Sequence, residues 1–343
     1  MKVEQEVKLD FIDVLIRPKR SALSSRSEVT MERTIHFKNS NVNWTGVPII
    51  AANMDTVGTF EMYYELSKHK IITCFSKHYD VSDYPDDLDK EYYMISTGIN
   101  ESDWEKLVSV MKKLNAKFIC VDVANGYMKK LVDFVKRVRA SWPEVVIVCG
   151  NVVSREMVEE LIINGGADIV KVGIGSGSVC TTRIQTGVGM PQLSAVAECS
   201  DAAHGIDGAI ISDGGITCPG DVAKAFGGGA DFVMLGSMLA GHSESAGEII
   251  EENGEKYKVF YGMSSSTAMN KYHGGVANYR SSEGKTVKIK YKGSVESTVH
   301  DILGGVRSTC TYIGANRVKD IPKCCTFMRV NRQVNTIHNG KEV

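Results

Sequence analysis

Apolar residues along this chain gather into short runs separated by amphipathic stretches. Eight such runs fall between residues 47 and 235: Val47–Met54, Ile71–Phe75, Tyr93–Gly98, Phe118–Val123, Val145–Cys149, Ile169–Val172, Ala209–Ser212 and Phe232–Leu235. They are short for helices, rich in Val, Ile and Phe, and nearly continuous, the pattern of strands buried on both faces. Stretches with helical spacing lie between them: Thr59–His69, with Thr59 placed to cap it; Glu101–Leu114; Met128–Trp142, with Leu131, Val135, Val138 and Trp142 on one face. A helix capped by Ser154 follows, carrying Met157, Val158, Leu161 and Ile162, and then Leu193–His204 and Thr217–Phe226. Eight βα units in roughly 200 residues are the count of a closed (β/α)8 barrel, the α/β TIM barrel. A doubly wound open sheet shares the alternation; the unit count favours the barrel.

Outside these units the pattern weakens. The segment up to about Asn43 is polar and irregular, with Asp10–Pro18 as a short element packed outside the core. Residues 241–293 are polar, rich in Gly, Ser and Lys, and without clear period. So long an interruption after the eighth strand predicts an active-site flap or lid. Helical spacing returns at Val295, Val299, Ile302, Leu303 and Val306, and residues 324–343 read as a mobile C-terminal tail. The expected organisation is one catalytic barrel domain over residues 1–343.

Composition narrows the function. With 343 residues, 43% hydrophobic, 24% charged and a formal net charge of -1, the chain lacks the field that collects nucleic acid or anionic lipid. The first ten residues carry Lys2, Glu4, Glu6, Lys8 and Asp10, unlike a signal peptide, and no apolar run is long enough to span a bilayer. Nine cysteines occur without a CxxC pair, and eight histidines without HxxxH, so a cytoplasmic location without a zinc site is expected.

The stretch Gly173-Ile174-Gly175-Ser176-Gly177-Ser178-Val179-Cys180-Thr181-Thr182-Arg183 follows the sixth run. Its glycines allow a tight turn that brings backbone dipoles close to a ligand. A cysteine beside hydroxyl residues, with an arginine behind it, has the composition of an activated thiolate nucleophile. The plain alternative is a small buried hydrophobe. Neither phosphate fingerprint fits: Ser178 stands where a dinucleotide motif needs glycine, and no Gly-Lys-Ser/Thr follows.

In a barrel the chemistry sits at the C-terminal strand ends. Those ends carry Asn53, Met54 and Asp55; Lys77; Asp122, Val123, Ala124 and Asn125; the Cys180 loop; Asp213, Gly214 and Gly215; and Gly236 and Ser237. Glycine turns after strands seven and eight suit a phosphate, and Asp213 beside them suits ribose hydroxyls, which together indicate a nucleotide. Tight turns alone would also account for the glycines. Asp122 either orients a cofactor or caps its loop, Lys77 is a ligand contact or a solvated surface lysine, and Glu283 is a flap-surface charge unless the flap closes and makes it a general acid or base.

Five motifs carry a family resemblance: Ala51-Ala52-Asn53-Met54-Asp55-Thr56-Val57-Gly58, the Gly173–Arg183 loop, Ile211-Ser212-Asp213-Gly214-Gly215, Gly262-Met263-Ser264-Ser265, and Tyr279-Arg280-Ser281-Ser282-Glu283-Gly284-Lys285. From about Asp10 to Val334 the sequence resembles the IMP dehydrogenase / GMP reductase family. Its 263–265 and 282–285 segments look like the reductase branch. The chain shows no room for the CBS regulatory insert and no flap Arg-Tyr pair of the kind dehydrogenases use to activate water. Ser176 stands where the family commonly has proline, and Ser237 where it has glycine.

The resemblance implies NADPH-dependent reductive deamination of GMP to IMP and ammonia, through a thioimidate on Cys180 with Thr182 and Glu283 handling protons. It implies substrate contacts at Asp213, Gly214, Gly215, Gly236, Ser237, Gly262, Met263, Ser264, Arg280, Ser281, Ser282, Glu283 and Gly284. For the dinucleotide it implies Ser25, Arg26, Lys77, Asp122, Val123, Ala124, Ile174, Gly175, Met263, Tyr279, Arg280, Ser308, Thr309, Cys310 and Thr311, with Ser25 and Arg26 reaching a neighbouring subunit of a homotetramer. A potassium ion is implied at the Gly175, Gly177 and Cys180 carbonyls, near Arg183. The alternatives are an insert-free IMP dehydrogenase that oxidises IMP to XMP with NAD, and a catalytically silent nucleotide-binding barrel.

Overall fold

The computed structural model describes residues 1, 3–279 and 281–331. The chain opens with β1 (Val14–Ile16) and a hairpin of β2 (Arg33–Phe37) and β3 (Val42–Gly46). Eight parallel strands follow: β4 (Ile49–Ala51), β5 (Ile72–Phe75), β6 (Tyr93–Thr97), β7 (Phe118–Asp122), β8 (Val146–Val152), β9 (Ile169–Val172), β10 (Ala209–Asp213) and β11 (Phe232–Leu235). They pair in sequence order, and β11 pairs with β4, closing the barrel. The eight apolar runs are these eight strands, so the barrel expectation holds over the open sheet.

The surrounding helices are α1 (Phe60–Leu66), α2 (Glu101–Leu114), α3 (Lys129–Ser141), α4 (Arg155–Glu159), α5 (Thr182–Thr186), α6 (Gln192–His204) and α7 (Pro219–Gly227), with α8 (Ser266–His273), α9 (Glu296–Ile313) and α10 (Ile321–Cys324) after the barrel strands. Their starts and stops follow local chemistry. Thr59 accepts a hydrogen bond from the Met62 amide at the start of α1. In α2, Leu107, Val110 and Met111 share the buried face, and Asn115 ends the helix at φ 45°. Ser154 occupies the cap position of α4 without a side-chain capping bond; its hydroxyl pairs with the Tyr127 phenol instead, at 3.1 Å.

Inward positions recur every second residue and change character from bottom to top. Phe118, Cys120 and Asp122 rise along β7, Ile169 and Lys171 along β9, and Ala209, Ile211 and Asp213 along β10. The lower layers are apolar and the upper one is charged. The hairpin β2–β3 seals the N-terminal mouth, correcting the expectation of an irregular segment up to Asn43. Its Ile35, Phe37 and Trp44 enter the barrel cluster, with the Trp44 ring 5.3 Å from Phe232 and 6.5 Å from Phe118 between centroids. The seal is tied to the barrel by buried Asp168, which accepts from the Ser40 amide at 2.9 Å, the Ile147 amide at 2.9 Å and the Arg139 guanidinium at 2.5 Å.

Two further expectations need correction. Residues 241–293 are not without regular structure: β12 (Ile249–Glu252), β13 (Glu255–Tyr261) and β14 (Thr286–Lys290) form an antiparallel sheet, with α8 between the last two strands. In the segment read as a mobile tail, β15 (Phe327–Arg329) pairs with β1; residues 332–343 lie outside those described. No helix among the described residues is long and apolar enough to cross a membrane.

Trp44 is the largest side chain filling the bottom of the barrel, so Trp44→Ala should cost about 3–5 kcal/mol. Urea unfolding followed by circular dichroism reads this as a lowered midpoint, and an unchanged midpoint would remove the hairpin from the core.

Candidate active site

A cavity of about 520 Å³ opens at the C-terminal ends of the barrel strands. One half is walled by the ends of β4 to β7: Asn53, Lys77, His78, Gly98, Asp122 and Ala124. The other is walled by the loops after β9, β10 and β11 and by the 262–264 turn. Cys180 lies on the wall between loop and flap.

Loop crowding explains the glycines. A side chain at Gly173 would place its Cβ 1.9 Å from the Asp213 carbonyl, and one at Gly214 would meet the Ser176 hydroxyl at 2.5 Å. The β9 and β10 loops therefore touch through backbone, as close approach requires. Ser176 adds a tie, donating to Gln192 Oε1 at 2.8 Å, while Gln192 donates to the Val172 carbonyl at 2.9 Å.

The 262–285 segment is pinned to the cysteine loop by main-chain bonds. The Thr181 amide donates to the Glu283 carbonyl at 2.8 Å and the Lys285 amide to the Val179 carbonyl at 2.9 Å, making an antiparallel bridge between Cys180 and Gly284. The Glu283 amide donates to the Ser264 carbonyl at 3.1 Å. This pinning lines up three side chains. The Cys180 thiol donates to Thr182 Oγ1 at 3.2 Å, and that hydroxyl donates to Glu283 Oε2 at 2.7 Å. A thiol proton thus has a continuous path to a carboxylate. Arg183 takes no part: its guanidinium binds Asp10 at 3.0 Å and the Met190 carbonyl at 2.7 Å. The reading in which the arginine activates the thiol is corrected by that geometry.

The cavity floor carries an ion triad. Lys171 Nζ lies 2.8 Å from Asp122 Oδ1 and 3.0 Å from Asp213 Oδ2. Asn53 donates to Asp122 Oδ2 and Asn151 to Asp213 Oδ2, each at 2.8 Å. Burial works to discharge Lys171, but the two carboxylates outweigh it and hold the ammonium well above the usual lysine value. Burial likewise pushes the Asp122 carboxyl up, and Lys171, Asn53 and Lys77 together overcome it and bring it below its usual range. Lys171, Asn151, His78, Tyr272 and Phe260 line the cavity without having been picked out in the sequence.

Of the residues singled out there, Lys77, Asp122, Val123, Ala124, Ile174, Gly175, Gly177, Cys180, Thr182, Asp213, Gly214, Gly215, Gly236, Ser237, Gly262, Met263, Ser264 and Glu283 all line this one cavity. Others stand elsewhere. Ser281 is exposed, Ser282 donates to the Gly284 carbonyl at 3.1 Å, and Gly284 sits behind the wall against Ser265. Tyr279 points to solvent at 89% exposure, and Arg280 lies outside the described residues. Ser308, Thr309 and Thr311 bond to their own helix, Cys310 is fully buried, and Ser25 and Arg26 occupy an exposed turn, so none of these reaches the cavity of its own chain.

The donor sets fit their expected ligands. The amide groups of Gly214, Gly215, Gly236, Ser237 and Ser264 make no hydrogen bond among the described residues, leaving donors for a phosphate. The Gly175 and Cys180 carbonyls accept none there, while the Gly177 carbonyl takes the Cys180 amide at 3.0 Å. Oxygen dipoles of this kind suit an alkali cation. The Arg183 carbonyl accepts from the Gly187 amide at 3.2 Å. No group of His, Cys, Asp and Glu suited to a metal occurs among the described residues.

Asp55 anchors the 261–272 segment to the barrel. Its Oδ2 accepts from the Tyr261 and Tyr272 phenols, each at 2.5 Å, and from Lys271 at 3.0 Å. Burial and the carboxylate raise both phenols above their usual value. The Tyr272 ring stacks on His78 at 3.5 Å over the cavity.

The chain is similar to known proteins over nearly its full length. Residues 8–337 match the family model described as the IMP dehydrogenase / GMP reductase domain. The human protein named GMP reductase 1 is 59% identical over 98% of this chain and 99% of its own. GMP reductase of Salmonella typhi is 59% identical over 99% of this chain and 100% of its own, and the mouse GMP reductase 1 is 58% identical over 98% of this chain.

Asp55→Ala removes the acceptor of two phenols and an ammonium. Amides of α8 should then exchange at least about tenfold faster, one lost buried bond being worth about 1.5 kcal/mol or more. Hydrogen exchange with mass spectrometry measures this, and unchanged protection over residues 266–273 would mean the flap is held by other contacts.

Proposed function

The chain belongs to the IMP dehydrogenase / GMP reductase family, and on that premise we propose how its residues reduce GMP to IMP with release of ammonia. The observation that carries the reading is the line Cys180–Thr182–Glu283, joined across the cysteine loop and the flap at the cavity wall.

GMP lies with its phosphate on the free amides of Gly214, Gly215, Gly236, Ser237 and Ser264, its ribose hydroxyls toward Asp213, and its base beside Cys180. Asp213 has Oδ2 taken by Lys171 and Asn151, which leaves Oδ1 for the ribose. The thiol proton moves through Thr182 toward Glu283, and the thiolate adds to C2 of guanine. Glu283 and Thr182 return a proton to the departing amino group, ammonia leaves, and a thioimidate joins Cys180 to the purine. The Lys77 and Asp122 side of the cavity would hold NADPH, whose chemistry there would be to supply a hydride to C2. The thiolate is then expelled with the C–S bonding pair, giving IMP and restoring the enzyme. Flap residues 262–264 and 283 exclude water from the thioimidate, whose hydrolysis would yield XMP instead.

A nucleotide cofactor follows from the family; NADPH in particular is our proposal, supported by Lys77 beside the cavity. The Gly175, Gly177 and Cys180 carbonyls would hold a potassium ion that stiffens the loop. Residues 241–293 would act as the flap of a single catalytic domain. A homotetramer is proposed because the Ser25–Arg26 turn and the Ser308–Thr311 face lie off their own cavity and would meet a dinucleotide only across a subunit contact. A cytoplasmic location accords with nine unpaired cysteines.

The assay follows NADPH absorbance with GMP, with IMP and ammonia identified as products; XMP formed from IMP and NAD would favour the dehydrogenase instead. Cys180→Ala should bind GMP yet give neither IMP nor a covalent adduct by mass spectrometry, and turnover by that variant would dismiss the nucleophile. Glu283→Gln should keep GMP binding within severalfold while lowering kcat by about 10²–10⁴-fold, the usual range for a proton-transfer group. A kcat within twofold of the parent enzyme would remove Glu283 from proton transfer.

A further inference from the structure

We propose that Lys171 is the positioning residue of this site: its ammonium holds Asp213 toward the substrate ribose and Asp122 toward the cofactor side, keeping both carboxylates charged across one floor. The inference rests on the GMP-reducing reading above.

The geometry singles out this lysine. Its side chain is 4% exposed, and its Nζ meets one oxygen of each aspartate, with the Met234 sulfur at 3.9 Å. The two carboxylates belong to opposite halves of the cavity, since Asp122 ends β7 and Asp213 ends β10. Lys171, on β9 between them, is the cation that touches both. Asn53 and Asn151 complete the clamp from β4 and β8 sides. Each aspartate is thereby fixed in rotation, and Asp213 keeps Oδ1 for the ligand. Burying a charged amine among barrel residues is costly unless it is paired on both sides.

The neighbours that face the triad set its titration. Cys120 on β7 and Cys74 on β5 lie beneath it, and Lys77 after β5 acts on Asp122. Lys77 also favours the charged form of Asp122. Without Lys171 the two carboxylates repel each other in a partly enclosed space, and one takes up a proton in the neutral range.

The consequences for activity and stability have opposite signs. In Lys171→Met the pair must be deprotonated to hold ribose, so kcat/KM for GMP relative to the parent enzyme rises with pH, about tenfold per unit below the new pKa. Stability moves the other way. A carboxylate whose folded pKa is raised above its unfolded value contributes stability at low pH that is lost as pH rises. Lys171→Met should thus lose thermal stability relative to the parent between about pH 5 and 8, while each folded molecule becomes more active.

The experiment measures kcat and KM for GMP, and Tm, of the full-length parent, Lys171→Met and Lys171→Arg across that range extended to about pH 8.5. The expected result is a KM for GMP raised at least tenfold at the acid end in Lys171→Met, shrinking toward the alkaline end, with Lys171→Arg restoring the parent profile shape. Lys171→Gln, neutral but able to bond both carboxylates, supplies the same reading should the methionine variant not fold. A pH-independent loss in the neutral variants, or an activity that falls with pH in step with Tm, would overturn the proposal and leave Lys171 a purely structural ion. Failure of the parent to reduce GMP would instead overturn the functional reading, so the two failures are separable.

Discussion

The main-chain bridge between the cysteine loop and residues 283–285 is the contact on which the rest of the site depends. Thr181 and Lys285 donate across it, and Glu283 reaches Thr182 because of it, although the two residues are 101 positions apart. Backbone bonds suit this purpose. They fix register without depending on side-chain rotamers, and a one-residue slip would turn Glu283 away from the hydroxyl. Gly284 is required at the bridge because a side chain there would place its Cβ 2.9 Å from the Ser265 amide. The barrel supplies a rigid rim, Asp55 ties α8 down onto it, and the bridge converts two loops into one proton path.

The barrel was legible in the chain because parallel strands covered on both faces leave uninterrupted apolar runs. The β2–β3 hairpin and the 249–290 sheet were not, for the converse reason. Antiparallel strands with one wet face alternate, and Val287 and Ile289 among Thr286, Lys288 and Lys290 read as polar composition unless the two-residue period is counted. β13 hides itself differently: it runs from exposed Glu255 and Lys256 to buried Phe260 and Tyr261, so burial grades along the strand without a clean two-residue period. The β1–β15 pairing joins segments three hundred residues apart, and three-residue strands leave no periodicity to detect.

Site residues at strand ends were legible through barrel geometry, and the motifs of the cysteine loop and flap pointed to a thiol, a hydroxyl and a carboxylate. What local pattern could not supply was orientation. Arg183 follows the cysteine closely in sequence, yet helix α5 carries its side chain to Asp10. Lys171 was hidden in the opposite way. It sits in the run Asp168-Ile169-Val170-Lys171-Val172 and reads there as an incidental break in a buried strand. Its position in phase with Ile169 was the available signal, because an inward lysine in a closed barrel demands carboxylates on neighbouring strands.

The resulting charge layout is unusual for a site that takes anionic ligands. The floor holds two carboxylates and one ammonium, while the rim after β10 and β11 holds, among the described residues, none of the lysines or arginines a phosphate would ordinarily recruit. The two demands are met by different groups. In the binding mode proposed above, phosphate would be left to uncharged amide dipoles on glycine turns, which bind anions without placing a cation that would compete with Lys171 for the aspartates. The carboxylates then remain free to accept hydroxyl hydrogens, a role closed to them if a nearby arginine paired with them. A basic rim would attract nucleotides more strongly but less selectively, whereas in the binding mode proposed above the floor would recognise the sugar and the amides the phosphate. On that proposed binding mode, selectivity and charge balance are the same structural problem, met by one lysine beneath the ligand and, among the described residues, none beside its phosphate.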